Sequence, residues 1–402
     1  MPVVDRGLSA LLRERDFFAV WMAGALGGVV RWLEMLAFAV FVYDVSQSPF
    51  LVALVTLLRM LPLALFGALA GVIAERVDRR LIALFGLLSM MAVSLALGLL
   101  ALGGEVRVWQ LCLAAFVNGL YWCTDMPARR TLLSVIAGHG RTAAAMALDS
   151  ATNSITRAVG PATGGLLLAA TGLHGALFLG AGLYALAAAM LLLVRGRHGG
   201  AGAPAVGLWR TLKEGLAFAA GDRAIVGILV VTVIFNVWGF PYTSMIAVIG
   251  RESLLLGPFG VGLLMSAEGA GAFLAAVAVA VMARPPAYNR IYLYGALTTQ
   301  IGMILLAASS QPVLSGLLVL LAGLGAGCFA TMQSTLILLA APPEARSRLM
   351  GVLVVCIGVG PLGFAHVGLM ADWLGAVPAV AIMGLEGLLA YAVAWYFWPE
   401  IR

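Results

Sequence analysis

Charge is what this sequence has least of. Only 10% of its 402 residues are Asp, Glu, Lys or Arg, against about 25% in a soluble globular domain. Such a chain has no solvated basic domain to offer a nucleic acid, and its formal charge of +6 sits in short arginine clusters between apolar runs. Cysteine is scarce too. Cys112, Cys123, Cys328 and Cys356 all fall within apolar runs and form no CxxC pair, so they read as small apolar side chains rather than metal or disulfide partners. The sequence has no nucleophile–base or metal-ligand spacing, so no enzyme, no metal and no cofactor is expected. A cleavable signal peptide is not expected either: "MPVVDRGLSALLRERDF" is charged, and the apolar run after it is too long for a signal h-region.

What the chain has instead is apolar length. It is 62% hydrophobic, with a mean hydropathy of +1.04, and no soluble core of this size needs so much. Its 49 glycines suit closely packed membrane helices. Measured against the roughly 20 apolar residues that cross a bilayer, spans fall near 17–43, 51–71, 81–102, 108–124, 151–170 and 176–194. Six more follow near 225–248, 260–283, 291–308, 313–339, 349–370 and 376–397. The expected fold is an all-α membrane protein of twelve transmembrane helices in two six-helix bundles, 1–195 and 224–402. Between them, residues 196–223 form a cytoplasmic linker with a short amphipathic helix.

Basic residues orient this arrangement. With the N-terminus inside, 19 of them lie on the cytoplasmic side, only Arg107 and Arg251 on the other, and three within spans. Both termini are then cytoplasmic. The halves echo each other: "AVGPATGG" in the fifth span is matched by "GVGPLGFA" in the eleventh, with Pro161 and Pro361 two hundred residues apart. A chain of two such halves points to a transporter with its substrate site between them.

Three stretches carry a family resemblance. "GVIAERVDRR", Gly71 to Arg80, resembles the loop 2–3 signature of the major facilitator superfamily. "RAVGPATGG", Arg157 to Gly165, resembles the antiporter motif of that superfamily's drug–proton exporters. "NGLYWCTDMPARRTLLS" with "AMALDSATNSITRAVGPATGGLL" is similar to the exporter subfamily that contains enterobactin exporters. The loop acid is Glu75 where the family usually has Asp, and Asp78 stands where Gly is usual. The resemblance implies a gate built from Gly71, Glu75, Arg76, Asp78, Arg79 and Arg80. It also implies an export-favouring seal at Gly160, Pro161, Gly164 and Gly165. By the residues alone, the first cluster could simply be a positive-inside anchor and the second a packing kink.

A charge at a helix centre costs roughly 2.5–3.5 kcal/mol on insertion scales, so the few that stay usually face a cavity or a partner. Arg31 and Glu34 in the first span are three apart, hence on one face. They could neutralise each other, or Glu34 could carry a proton beside a substrate-binding Arg31. Glu268 has no basic neighbour on its own helix and is a second proton-coupling candidate, with Asp125 a third. Arg157 is a candidate substrate or coupling cation. Asn118, Trp122, Asn153, Asn236 and Gln333 are candidate cavity residues. The first half has a surplus of positive charge within its spans (Arg31, Arg59 and Arg157 against Glu34), which would favour anionic or zwitterionic groups.

The expected function is export of a small amphipathic compound across a bacterial inner membrane by alternating access, coupled to proton entry. The expected partners are the small-molecule substrate, protons and membrane lipid, with no nucleic acid, and the protein is expected to be monomeric. An uncoupled facilitator, a lipid flippase or a transport-inactive membrane sensor are the alternatives.

Overall fold

The computed structural model describes residues 10–138, 140–195, 208–342 and 344–401, with backbone alone at 68–76, 208, 209, 211 and 401. The first half contains α1 (Arg15–Ser46), α2 (Pro49–Arg76), α3 (Arg79–Leu102), α4 (Val108–Ala137) and α5 (Thr142–Leu192). The 51-residue α5 is two spans, because Gly172 breaks it with a φ of 71° that residues bearing a Cβ rarely adopt. A surface helix α6 (Leu208–Ala220) leads to α7 (Arg223–Ile234), a π-helical turn (Phe235–Gly239) and α8 (Tyr242–Glu252), which together make one span. Then come α9 (Pro258–Met282), α10 (Tyr288–Ala307), α11 (Pro312–Ala340), α12 (Arg346–Ile357), α13 (Gly360–Leu374) and α14 (Ala376–Phe397).

Among the described residues, nine helices or helix groups are long and apolar enough to cross a membrane. The more polar α4 and α10, with 30 and 20 residues, and the division of α5 bring the spans to twelve. The fold is the all-α, two-bundle architecture expected.

Two boundaries differ from expectation. The stretch "DMPARR", read as a loop, is helical: α4 runs on to Ala137 with Pro127 inside it, and only 138–141 connect it to α5. The helix tolerates these charges because they satisfy one another. Arg129 Nε donates to Asp125 at 3.2 Å, and both Arg129 and Arg130 bind Asp149 of α5. In the eleventh span the GP pair breaks the chain between α12 and α13 rather than kinking one helix. Pro361 falls in the first turn of α13, where its missing N–H has no helical partner to lose.

The halves close on each other at the arginine-poor end. Tyr43 donates to Glu252 (3.1 Å), Ser48 to Asp372 (2.8 Å), and Arg251 pairs with Asp44 at 2.8 Å. Deeper in, α5 lies directly on α9. A Cβ on Gly262 would come 2.5 Å from the Pro161 carbonyl oxygen, and one on Gly165 would come 2.5 Å from that of Pro258. Gly160 and Gly164 use the opposite face of α5, against Trp32 and Leu33 of α1. The four small or kinked positions of "GPATGG" therefore let one helix touch backbone on two sides.

Candidate functional site

A central cavity with about 240 Å³ of free volume lies between the halves. One wall, from α1, α2, α4 and α5, presents Arg31, Arg59, Trp122, Asn153 and Arg157; the other presents Phe235, Asn236, Phe329 and Gln333. Two local features shape these walls. The π-helical turn gives its span one wide turn, bringing both Phe235 and Asn236 to the cavity. Phe235 then stacks on Phe329 at 3.8 Å, and Phe329 on Tyr292 at 4.9 Å.

Arg31 donates through Nη2 to Asn153 Oδ1 at 2.7 Å. Its guanidinium lies 5.5 Å from the Trp32 ring centroid and 5.3 Å from that of Trp122, within cation–π range. Arg59 reaches from α2 to donate to the Arg31 backbone carbonyl at 2.7 Å. The two arginines are thus tied to the same turn of α1.

Glu34 does not join them. It is buried inside the first bundle, accepting from Ser94 at 2.5 Å and, more weakly, from Asn118 and Tyr184 at 3.4 Å each. Asn118, expected in the cavity, is buried and donates to Glu34 instead. Residues three apart on a helix differ by about 60° of rotation. That is enough here to send Arg31 to the cavity and Glu34 to the bundle interior.

Glu268 and Arg157, considered separately in the sequence, meet. Arg157 Nε donates to Glu268 Oε2 at 2.9 Å and Nη2 binds Oε1, a two-pronged pair joining α5 to α9. Arg157 borders both the central cavity and a small side recess that holds Glu268, and its guanidinium lies 5.4 Å from the Trp32 centroid. Pro161, lacking an N–H, leaves the Arg157 carbonyl without its helical donor, and Ser266 of α9 accepts from the neighbouring Ala162 N–H at 2.9 Å.

The other expected residues are distributed more widely. Asp125 belongs to the Arg129–Asp149 network at the arginine-rich end of α4 and α5. Asp78 caps α3 by accepting from Arg80 N at 3.0 Å, and Arg80 in turn donates to the carbonyls of Leu191 and Leu192 at the end of α5, both at 2.9 Å. Arg79 begins α3. Gly71, Glu75 and Arg76 lie on the last turns of α2, and their side chains fall outside the described residues. Ser94 and Tyr184, which bind Glu34, carry no sequence signal beyond a hydroxyl inside an apolar run. Away from the cavity, Glu386 Oε2 accepts from Trp238 at 3.0 Å and meets His366 Nε2 at 2.8 Å.

A cavity enclosed between two six-helix bundles, sealed at one end and bridged by an ion pair, defines a membrane transporter of the major facilitator type. The chain belongs to the transmembrane secretion effector family (MFS_3), whose match spans residues 7–399. It is 24% identical to the uncharacterized MFS-type transporter YfiS of Bacillus subtilis (strain 168), over 94% of this chain and 90% of that protein. It is 27% identical to the multidrug efflux pump Tap of Mycolicibacterium fortuitum, over 96% and 95% respectively. A bacterial homologue of the human lysosomal transporter Spinster, solved inward-facing and unoccupied, shares the fold. It matches with a TM-score of 0.74 at 13% identity, covering 97% of this chain and 99% of its own. The family and these relatives are transporters, not enzymes, and transporters of this type take small-molecule substrates.

Proposed function

We propose that the chain exports a small amphipathic compound from the bacterial cytoplasm, exchanging it for an incoming proton. The arginine-rich face is cytoplasmic by the positive-inside rule, both termini lie there, and the protein works as a monomer in the inner membrane. Residues 1–195 rock against 224–402, and 196–223 tether them. On this reading the seal at Asp44–Arg251 and Ser48–Asp372 is extracytoplasmic, and the cavity loads from the cytoplasm. The efflux function named for Tap supports the outward direction.

The Arg157–Glu268 pair carries the reading, because it joins the two moving halves at the cavity's edge. Opening the sealed side draws α5 from α9 and separates the pair. A carboxylate parted from its guanidinium in a low-dielectric site takes up a proton, here from the outer side as the compound leaves. Closing the outer side returns the proton to the cytoplasm and restores the pair. Glu34, held by neutral donors, is the second carrier, and Asp125 stands at the cytoplasmic mouth where protons depart. Gly71, Glu75, Arg76 and Arg79 latch the cytoplasmic side in the opposite state.

The test places purified protein in liposomes under an imposed pH gradient, with a fluorescent amphipathic dye as cargo, and compares wild type with Glu34→Gln and Glu268→Gln. Loss of gradient-driven movement in the variants is expected. If both variants couple like wild type, the assignment fails; gradient-independent movement by wild type identifies a facilitator or flippase.

A further inference from the structure

The cavity's charge is unbalanced, and the imbalance names a class of cargo. Among the described residues, three arginines line it and no carboxylate does. Arg157 is neutralised by Glu268. Arg31 and Arg59 bond instead to neutral acceptors, the Asn153 side chain and the Arg31 carbonyl. Among the described residues, no Asp or Glu lies within ion-pair distance of either. Glu34 is hydrogen-bonded to Ser94, Asn118 and Tyr184 inside the first bundle and makes no ion pair with Arg59, on which it acts only through space.

Two guanidinium groups with no carboxylate in ion-pair contact, on the wall of a membrane-embedded cavity, each carry a desolvation penalty of several kcal/mol. Asp125, beside Arg31 in a neighbouring recess but engaged by Arg129, and Glu34, engaged by Ser94, offset it only through space. Such a wall is completed by an anion from outside the chain. We propose that the compound is an amphipathic oxyanion, a carboxylate, sulfonate or phosphate ester on a flat aromatic body, with its head at Arg31 and Arg59. The inference rests on the export reading above and gives that site its substrate class.

The geometry prepares both ends. Arg31 is held by Asn153 and flanked by Trp32 and Trp122, so its planar fork is oriented before an anion arrives. Its Nε is buried without a hydrogen-bond partner, a donor in a site that already lacks acceptors. Arg59, only 4% exposed, is anchored to the same turn of α1 and adds a second cation to the head site. Across the cavity, Phe235 and Phe329 stack, and Asn236 and Gln333 are neutral. One wall thus fits an oxyanion and the other an aromatic face. The free volume, about 240 Å³, falls below the usual range for drug-sized ligands, roughly 300–1,000 Å³, and suits a body of two or three fused rings.

Two probes of one shape and opposite charge test this. Naphthalene-2-carboxylate and 2-naphthylmethylammonium would be titrated by calorimetry into the full-length protein in phosphatidylcholine nanodiscs at pH 7. The carboxylate should bind at least tenfold more tightly, on wild type alone and so independently of how any variant folds. Arg31→Gln should abolish the preference, Arg31→Lys should keep part of it, and Arg31→Glu should reverse it. Displacement of the naphthoate by phosphatidylglycerol would assign the same oxyanion site to a lipid headgroup; no displacement would assign it to a free solute. In proteoliposomes, movement of the ammonium but not the carboxylate overturns the oxyanion class and leaves export intact. Movement of neither, with no binding of either, overturns both.

Discussion

Arg31 and Glu34 sit three residues apart on α1 and serve different compartments. Arg31 bonds to Asn153 in the cavity at 2.7 Å, and Glu34 to Ser94 inside the first bundle at 2.5 Å. Ser94→Ala should leave one oxygen of a buried carboxylate short of its best donor. The loss should destabilise the protein by about 1–3 kcal/mol, measured as a lower unfolding midpoint in nanodiscs, while affinity at the cavity changes little. Arg31→Gln should do the reverse, weakening binding with a small effect on unfolding.

The Arg157–Glu268 pair links α5 to α9 with two hydrogen bonds. Breaking a buried pair from one side typically costs about 3–5 kcal/mol, and the low end applies here because Arg157 borders the cavity. Arg157→Gln and Glu268→Gln should each lose proton coupling. A double-mutant cycle on unfolding should give a coupling energy well above experimental scatter. Additive effects would mean that the two residues act separately.

Gly165 and Gly262 allow backbone-to-backbone contact between α5 and α9. Gly262→Val would force side-chain atoms against the Pro161 carbonyl, an overpacking worth about 1–3 kcal/mol. The sealed end should then open more often. Thiol labelling of a cysteine placed at Ser48 should speed up in Gly262→Ala, speed up further in the valine variant, and stay slow where Gly262 is kept.

The surface helix α6 is tied to α12 by Glu214, which accepts from Arg210 at 2.8 Å and pairs with Arg348 at 3.4 Å. The Arg210 hydrogen bond holds the exposed Glu214 carboxyl below its ordinary range, which is near 4.3. The pair's contribution is therefore complete above that value and is lost as pH falls through the lower, folded one. Hydrogen exchange of α6 should be steady from pH 8 to 5 after correction for intrinsic rates, and should quicken below pH 4. Glu214→Gln should exchange quickly across the whole range.

How much of this was legible in the sequence depended on the kind of signal. Span count followed from apolar length, which the bilayer imposes segment by segment, so even the break at Gly172 lay between two recognisable runs. The α4 boundary was not legible, because "DMPARR" resembles a loop until Asp149, from another helix, neutralises its arginines. The central polar residues were found because charge in an apolar run is conspicuous. Their pairing was hidden for a different reason: Arg157 and Glu268 are 111 residues apart, and only the crossing of α5 over α9 brings them together. The i, i+3 spacing of Arg31 and Glu34 invited a pair, yet the rotation between them placed a cavity and a bundle interior on either side.

The most direct test of alternating access is a cross-link across the seal. Ser48 on the loop into α2 donates to Asp372 near the end of α13 at 2.8 Å. In a background lacking the four native cysteines, Ser48→Cys and Asp372→Cys would be joined by a short bifunctional thiol reagent with a reducible spacer. Transport in proteoliposomes would be measured before bridging, after it, and after reduction. The account predicts that bridging stops export and reduction restores it. Undiminished transport by fully bridged protein would contradict it.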